Sequence, residues 1–198
     1  LAPALGTACE VRQAIAVLGG AGSAALRTVT VRLAAEALVL RGWDRHDAGR
    51  ALERALDDGS ALSAWTAFVR AHGGDPDPER LAEPRKVLEI PARASGVVTM
   101  MDGERLGRVA VEVGAGRRRV NEAIDHGSGV EVAVRIGDSV AEGETVARIL
   151  VAERPVDEAA LVRAVGEAVV VGEPPVGIPP LVYGSPEDLA DGASGTTP

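Results

Sequence analysis

The hydrophobic period of this chain changes once, and that change constrains the fold more than any other feature. Up to about residue 73, apolar side chains recur at spacings of three and four. Leu26, Val29, Leu33, Ala37 and Leu40 form one stripe of a helix opened by Ser23 and closed at Gly42. Val11, Ile15 and Leu18 make a shorter stripe ended by Gly19-Gly20. A third helix, capped by Asp44 or Asp47, carries Leu52, Ala55 and Leu56, and a fourth starts at Ser60 with Leu62, Trp65 and Phe68. No strand is expected between these helices, so they form either a bundle or the helical layer of a larger domain.

The turn-forming stretch Gly73-Gly74-Asp75-Pro76-Asp77-Pro78 ends the helical half. Beyond it the period is two. Val130, Val132, Val134 and Ile136 alternate with Glu131, Ala133 and Arg135, as in a half-buried strand. Gly137-Asp138 turns the chain, and Val146–Val151 returns after Gly143. Val87–Ile90 and Gly96–Met101 read as two more strands, with helices inserted near Glu104–Val113 and Asp157–Ala168. The expected class is α+β with a mostly antiparallel sheet. The expected units are helices over 1–73, a connection over 74–86, a sheet-bearing unit over 87–183 and a disordered polar tail over 184–198.

Composition removes several functions. The 198 residues carry Lys+Arg 21 against Asp+Glu 29, a formal charge of −8, which opposes binding to nucleic acid or anionic lipid. Trp43, Trp65, Phe68 and Tyr183 are the only aromatics, too few for base-stacking platforms. Cys9 is the only cysteine, so no intrachain disulfide forms, which suits a reducing compartment. No apolar run is long enough for a membrane helix, because Arg32 and Glu36 interrupt the best candidate, and no signal peptide is expected. The opening at Leu1 without Met suggests that an upstream part of the natural protein is missing.

The chemistry-bearing residues are few. His46, His72 and His126 have no second ligand at metal spacing. Asp125 precedes His126, but neighbours on an extended chain point apart, so a surface or structural histidine is the expectation. The segment Gly114-Ala115-Gly116-Arg117-Arg118-Arg119 is the most unusual local sequence. Its glycines and three arginines suit an anion such as phosphate, or alternatively a solvated loop whose arginines pair with Glu112, Glu122 and Asp125. Val134–Ile149 has the look of half a biotinyl or lipoyl carrier barrel. Such a carrier needs a lysine at a hairpin tip, and the only lysine, Lys86, stands beside the connection.

Taken in order, these segments resemble the thymidine and pyrimidine-nucleoside phosphorylase family. The resemblance begins with Leu1, Ala4, Gly6, Ala8, Glu10-Val11-Arg12 and Ala14-Ile15, and continues through Gly73-Gly74-Asp75 and Ala94-Ser95-Gly96-Val97-Val98. Leu106-Gly107, Gly114-Ala115-Gly116-Arg117, Ile124-Asp125-His126 and Ile136-Gly137-Asp138-Ser139-Val140 with Gly143-Glu144 complete it. It implies the C-terminal portion of an enzyme: the last helices of a mostly helical α/β domain, then a β-hammerhead, barrel-sandwich-like domain. Such enzymes cleave pyrimidine nucleosides with inorganic phosphate to free base and pentose 1-phosphate. They do so as cytoplasmic homodimers, without nucleic acid or membrane partners and without a required cofactor.

By the same resemblance, the phosphate loop and base-binding residues lie upstream of Leu1. No catalytic or substrate-binding residue is therefore assigned here, and the segment alone is expected to be inactive. Closure of the sheet domain over a cleft is implied, with Gly114, Gly116 and Arg117 in a lid loop. A K+ site is implied at the carbonyls of Leu1 and Ala4 and the side chain of Gln13. There the family carboxylate is an amide, so cation binding is expected to be weakened or absent. Two other readings remain: a noncatalytic binding or scaffold module, and a phosphorylase relative acting on another nucleotide.

Overall fold

A computed structural model describes residues 3–174 and 177–184. The four expected helices are present as α1 (Ala8–Leu18), α2 (Ala24–Val39), α3 (Arg45–Asp57) and α4 (Ser60–Ala71). The starts of α2 and α3 follow the capping chemistry in the sequence. Ser23 Oγ accepts the Leu26 N–H, and Asp44 accepts the N–H groups of His46 and Asp47, caps each contributing about 1 kcal/mol. A strand that the periodicity did not reveal precedes them, β1 (Ala4–Gly6).

The second half contains β2 (Lys86–Pro91), β3 (Gly96–Met101), α5 (Gly103–Val113), β4 (Gly129–Val132), β5 (Ser139–Val140), β6 (Thr145–Val151), α6 (Glu158–Ala168) and β7 (Val169–Gly172). Among the described residues these form two antiparallel sheets, neither closed: a four-stranded one ordered β1-β4-β6-β2 and a three-stranded one ordered β5-β3-β7. The expected strand over Val130–Ile136 stops at Val132. Asp138 Oδ2 takes the Arg135 N–H at 2.8 Å and the Asp138 N–H returns to Arg135 O at 3.0 Å, closing a turn through Gly137. A local side-chain acceptor thus replaces the ladder. Val134 is buried all the same, because the Ala133 N–H still reaches Val146 O.

Register explains the alternation. Leu5, Val130, Ile149 and Leu88 lie side by side across the four strands, as do Val132, Ala147 and Ile90 in the next inward row. These rows form one face. Together with Leu106, Val109, Val113, Leu161 and Val165 of α5 and α6 they make the main core. The opposite face carries Ala4, Glu131, Arg148 and Glu89, then Gly6, Gly129, Leu150 and Val87. There Ala4, Cys9 and Leu150 form a second, smaller cluster, so α1 covers the back of the sheet.

The helical and sheet-bearing halves therefore share a sheet. Further ties join them. His126 O accepts the Ala8 N–H at 3.1 Å and the Thr7 hydroxyl at 2.8 Å. Arg12 of α1 donates to the carbonyls of Leu81 and Ala82 and pairs with Glu83, which fixes the later part of the connection against α1. The disordered tail expected over 184–198 lies, from residue 185 on, outside the described residues.

Candidate functional site: the glycine-arginine loop

The loop after α5 is built on a rigid frame. Gly114 ends the helix in the left-handed conformation, φ 110°, and a Cβ there would stand 2.8 Å from Asp125 Cβ and 3.2 Å from Arg154 Nε. Glycine is therefore required twice, for its backbone angle and for the space. Gly116 packs against Val111, where a Cβ would meet Cγ2 at 2.8 Å.

Asp125 closes the frame. Its N–H donates to Gly114 O at 2.8 Å, and its Oδ2 accepts the N–H groups of Glu153 and Arg154 at 2.7 and 3.3 Å. With its carboxylate so engaged, Asp125 does not orient the exposed His126. That residue contributes its backbone carbonyl, which holds Thr7 and Ala8. The Ile124-Asp125-His126 motif is thus an architectural junction.

Glu122 shapes the arginine run. Its Oε2 accepts the Arg118 N–H at 2.6 Å and the Arg119 N–H at 3.3 Å, while Oε1 faces Arg154 at 2.9 Å. The Arg118 N–H chiefly holds the Glu122 carboxyl below its usual range, helped by the Arg119 N–H and the charges of Arg154 and Arg118. Arg118 spends its guanidinium on Glu112 O at 2.9 Å. Among the described residues, the guanidiniums of Arg117 and Arg119 have no partner, and both residues are exposed.

The solvated-loop alternative is met in part: Arg118 is held by Glu112 O and Glu122, whereas Arg117 and Arg119 extend from the loop with no partner among the described residues. Arg154 was not singled out from sequence. It braces the loop through Val111 O and Ala123 O at 3.3 and 3.4 Å, and a single arginine before Pro155 has no periodicity to announce it.

The cation-site residues are only partly comparable. Leu1 lies outside the described residues. Pro3 O accepts the Val132 N–H at 2.7 Å, so by strand alternation the Ala4 carbonyl points away from β4, to the open edge of β1. The Gly6 N–H on that edge donates to Glu10 at 2.7 Å. One helical turn after Glu10, Gln13 Oε1 is buried without a hydrogen-bond partner. Gln13 brings an oxygen but no charge, unlike a carboxylate. Among the described residues, no group of three or more His, Cys, Asp or Glu is placed to hold a metal. Lys86 pairs with Glu158 at 2.6 Å rather than standing at a hairpin tip.

Residues 97–171, from β3 through β7 and including the loop, match the pyrimidine nucleoside phosphorylase C-terminal domain. Similar proteins include a pyrimidine-nucleoside phosphorylase of Geobacillus stearothermophilus, 30% identical over 91% of this chain and 42% of its own length. A thymidine phosphorylase of Burkholderia lata is 43% identical over 71% of this chain and 34% of its own length. A pyrimidine-nucleoside phosphorylase of Bacillus subtilis is 32% identical over 78% and 37% respectively. The chain belongs to the thymidine/pyrimidine-nucleoside phosphorylase family and corresponds to its C-terminal portion. It spans well under half the length of these relatives. Among the described residues, no helix is long and apolar enough to cross a membrane.

Proposed function

We propose that the complete protein is a cytoplasmic, homodimeric pentosyltransferase that splits a pyrimidine nucleoside with inorganic phosphate, and that this chain supplies its lid. The observation that carries the lid assignment is the pair of unpartnered guanidiniums, Arg117 and Arg119, on a loop immobilised by Gly114, Glu122, Asp125 and Arg154. An arginine offers no proton at neutral pH, so the loop binds and positions an anion while bond cleavage belongs to other residues. Preorganised guanidiniums reduce the ordering cost of holding a phosphate group.

In this reading, residues 1–73 are the last helices of the α/β domain, 74–86 the connection and 87–183 a β-hammerhead domain. The shared sheet and the bonds from Arg12 tie β1 and α1 to the sheet-bearing unit, so the compliant stretches of this reading are the two that flank α2–α4, residues 19–23 and 73–80. No cofactor is required. K+ at Ala4 and Gln13 is weakened by the missing charge.

The test is phosphate-dependent release of thymine and uracil by the complete protein and by this chain alone. The complete protein is expected to be active and the chain inactive. Arg117→Ala is expected to lower turnover about ten-fold, the worth of one charge-assisted hydrogen bond, with unchanged melting. Unaltered kinetics remove the lid assignment.

A further inference from the structure

A cavity of about 270 Å³ lies where the two sheets meet, between the end of β2 with the loop that follows it, β6, the end of α6 and β7. Its inner wall is apolar. Ala92, Val146 and Val169 are buried there, and Val171 packs against the main core. β7 lines it with three consecutive residues, 169–171. Neighbouring side chains of a strand point to opposite faces, so three in a row line one space only along the strand's edge. Among the described residues β7 is an edge strand, paired with β3 on one side alone.

Arg93 stands at the mouth of this cavity, exposed and without a hydrogen-bond or ion-pair partner among the described residues. Its guanidinium rests on α6 at Gly166, where a Cβ would stand 3.1 Å from Nη2, 3.4 Å from Nε and 3.6 Å from Cζ. Glycine inside a helix is unfavourable relative to alanine, and here it leaves the guanidinium room to lie against the helix. The carboxylate that lines the cavity, Glu167, does not answer Arg93, because its Oε2 takes Arg105 Nη1 at 2.5 Å.

We infer that this cavity binds a small monocarboxylate with an apolar body of about six carbons, the carboxylate on Arg93 and the body against Val146, Val169 and Val171. Charge selects the head group. One guanidinium beside Glu167, on a chain of formal charge −8, matches a single negative charge and opposes a dianion such as a phosphate ester. The guanidinium fork fits the two oxygens of a carboxylate, and the open edge of β7 adds unpaired backbone N–H groups. Volume selects the body. An apolar cavity of about 150 Å³ accepts benzene, so this one has room for a ring or chain of that size with a carboxylate attached. The site stands apart from the phosphorylase reading, since none of Gly114, Gly116, Arg117 and Arg119 lines it.

The experiment titrates benzoate and hexanoate into this chain with isotope-labelled valine methyls and reads them by NMR, with benzamide, acetate and inorganic phosphate as comparisons. Benzoate and hexanoate are expected to give saturable shifts of the Val146, Val169 and Val171 methyls with a Kd of about 1 mM, the order that so few atoms reach. Benzamide, which keeps the shape and loses the charge, is expected to bind about ten-fold more weakly, and acetate, which lacks the body, likewise. Arg93→Gln is expected to weaken benzoate about ten-fold and to leave benzamide unchanged, a discrimination that a merely structural arginine would not carry. Arg93→Lys, which keeps the charge without the fork, is expected to fall between the two. Arg93 is exposed, so both variants are expected to retain the parent's circular dichroism and melting. The inference is overturned by any of four results: no saturation by about 10 mM, equal affinity for benzoate and benzamide, benzoate binding indifferent to Arg93→Gln, or phosphate binding more tightly than benzoate at the same methyls.

Discussion

Gly6 of β1 and Gly129 of β4 face each other across the ladder with Cys9 Sγ above them and no room for a methyl group on either. A Cβ on Gly6 would lie 2.7 Å from that sulfur, and one on Gly129 would lie 2.9 Å from it and 2.8 Å from Leu5 O. The pair is of the close, non-hydrogen-bonded kind, which brings the two backbones together and lets α1 settle on the sheet. Gly129→Ala is expected to cost about 1–3 kcal/mol in urea denaturation, as overpacking does. Adding Cys9→Ala removes the sulfur but leaves the Leu5 carbonyl, so recovery is expected to be partial. A fully recovered double variant would place the strain wholly at Cys9. Burial also pushes the Cys9 thiol up, so it is expected to resist thiol reagents at neutral pH until the protein unfolds.

Asp125 joins three segments that are remote in sequence. Its carboxylate takes the Glu153 and Arg154 N–H groups and its own N–H holds Gly114 O. Asp125→Ala strands two donors at the exit of β6 and is expected to cost about 1–3 kcal/mol. Asp125→Asn keeps an acceptor oxygen and is expected to cost less. Equal losses in the two variants, measured by denaturant unfolding, would show that charge rather than hydrogen bonding is what Asp125 supplies.

Glu122 makes the loop sensitive to acid. Its folded carboxyl is held below the ordinary value, so its contribution to stability is present above the unfolded value of about 4.3 and is lost as pH falls through the folded one. The melting temperature of Glu122→Gln is therefore expected to lie below that of the parent at pH 7 and to converge with it on acidification. Calorimetry from neutral to acidic pH checks this; a gap that widens toward acid would reverse the sign.

Gln13 lets the cation preference be tested without activity. The parent is expected to melt alike in potassium and choline chloride at equal ionic strength. In Gln13→Glu the carboxylate replaces an orphaned buried oxygen, so the variant is expected to be less stable in choline and to regain about 1–2 kcal/mol with potassium. Potassium stabilisation of the parent equal to that of the variant would show that the amide serves as well as a carboxylate.

Helices were legible because capping and period-3.6 patterning are local. Ser23, Asp44, Asp102 and Asp157 each stand at a helix start and accept an N–H from the first turn. The sheet was legible only in part. Alternation announced β4 and β6, whereas β1 is three residues of Ala-Leu-Gly whose pairing depends on Gly129, far along the chain. β7 was hidden because its three valines follow α6 without a break. Of the candidate site, the glycines and arginines were visible as composition, but which arginines are free was not. Arg117 and Arg118 are neighbours of one type, and only the fold gives Arg118 the Glu112 carbonyl.

The order of motifs along the chain, by itself, determined the family, the helix starts and the presence of an arginine loop, because each is written in residues close together. Tertiary structure alone decided that α1 closes the back of the sheet, that Ile124-Asp125-His126 is a junction, and that Leu33 and Leu40 of the α2 stripe are exposed. These depend on contacts between residues far apart in sequence. A periodic stripe marks one face of a helix, and only the packed chain shows which face is buried.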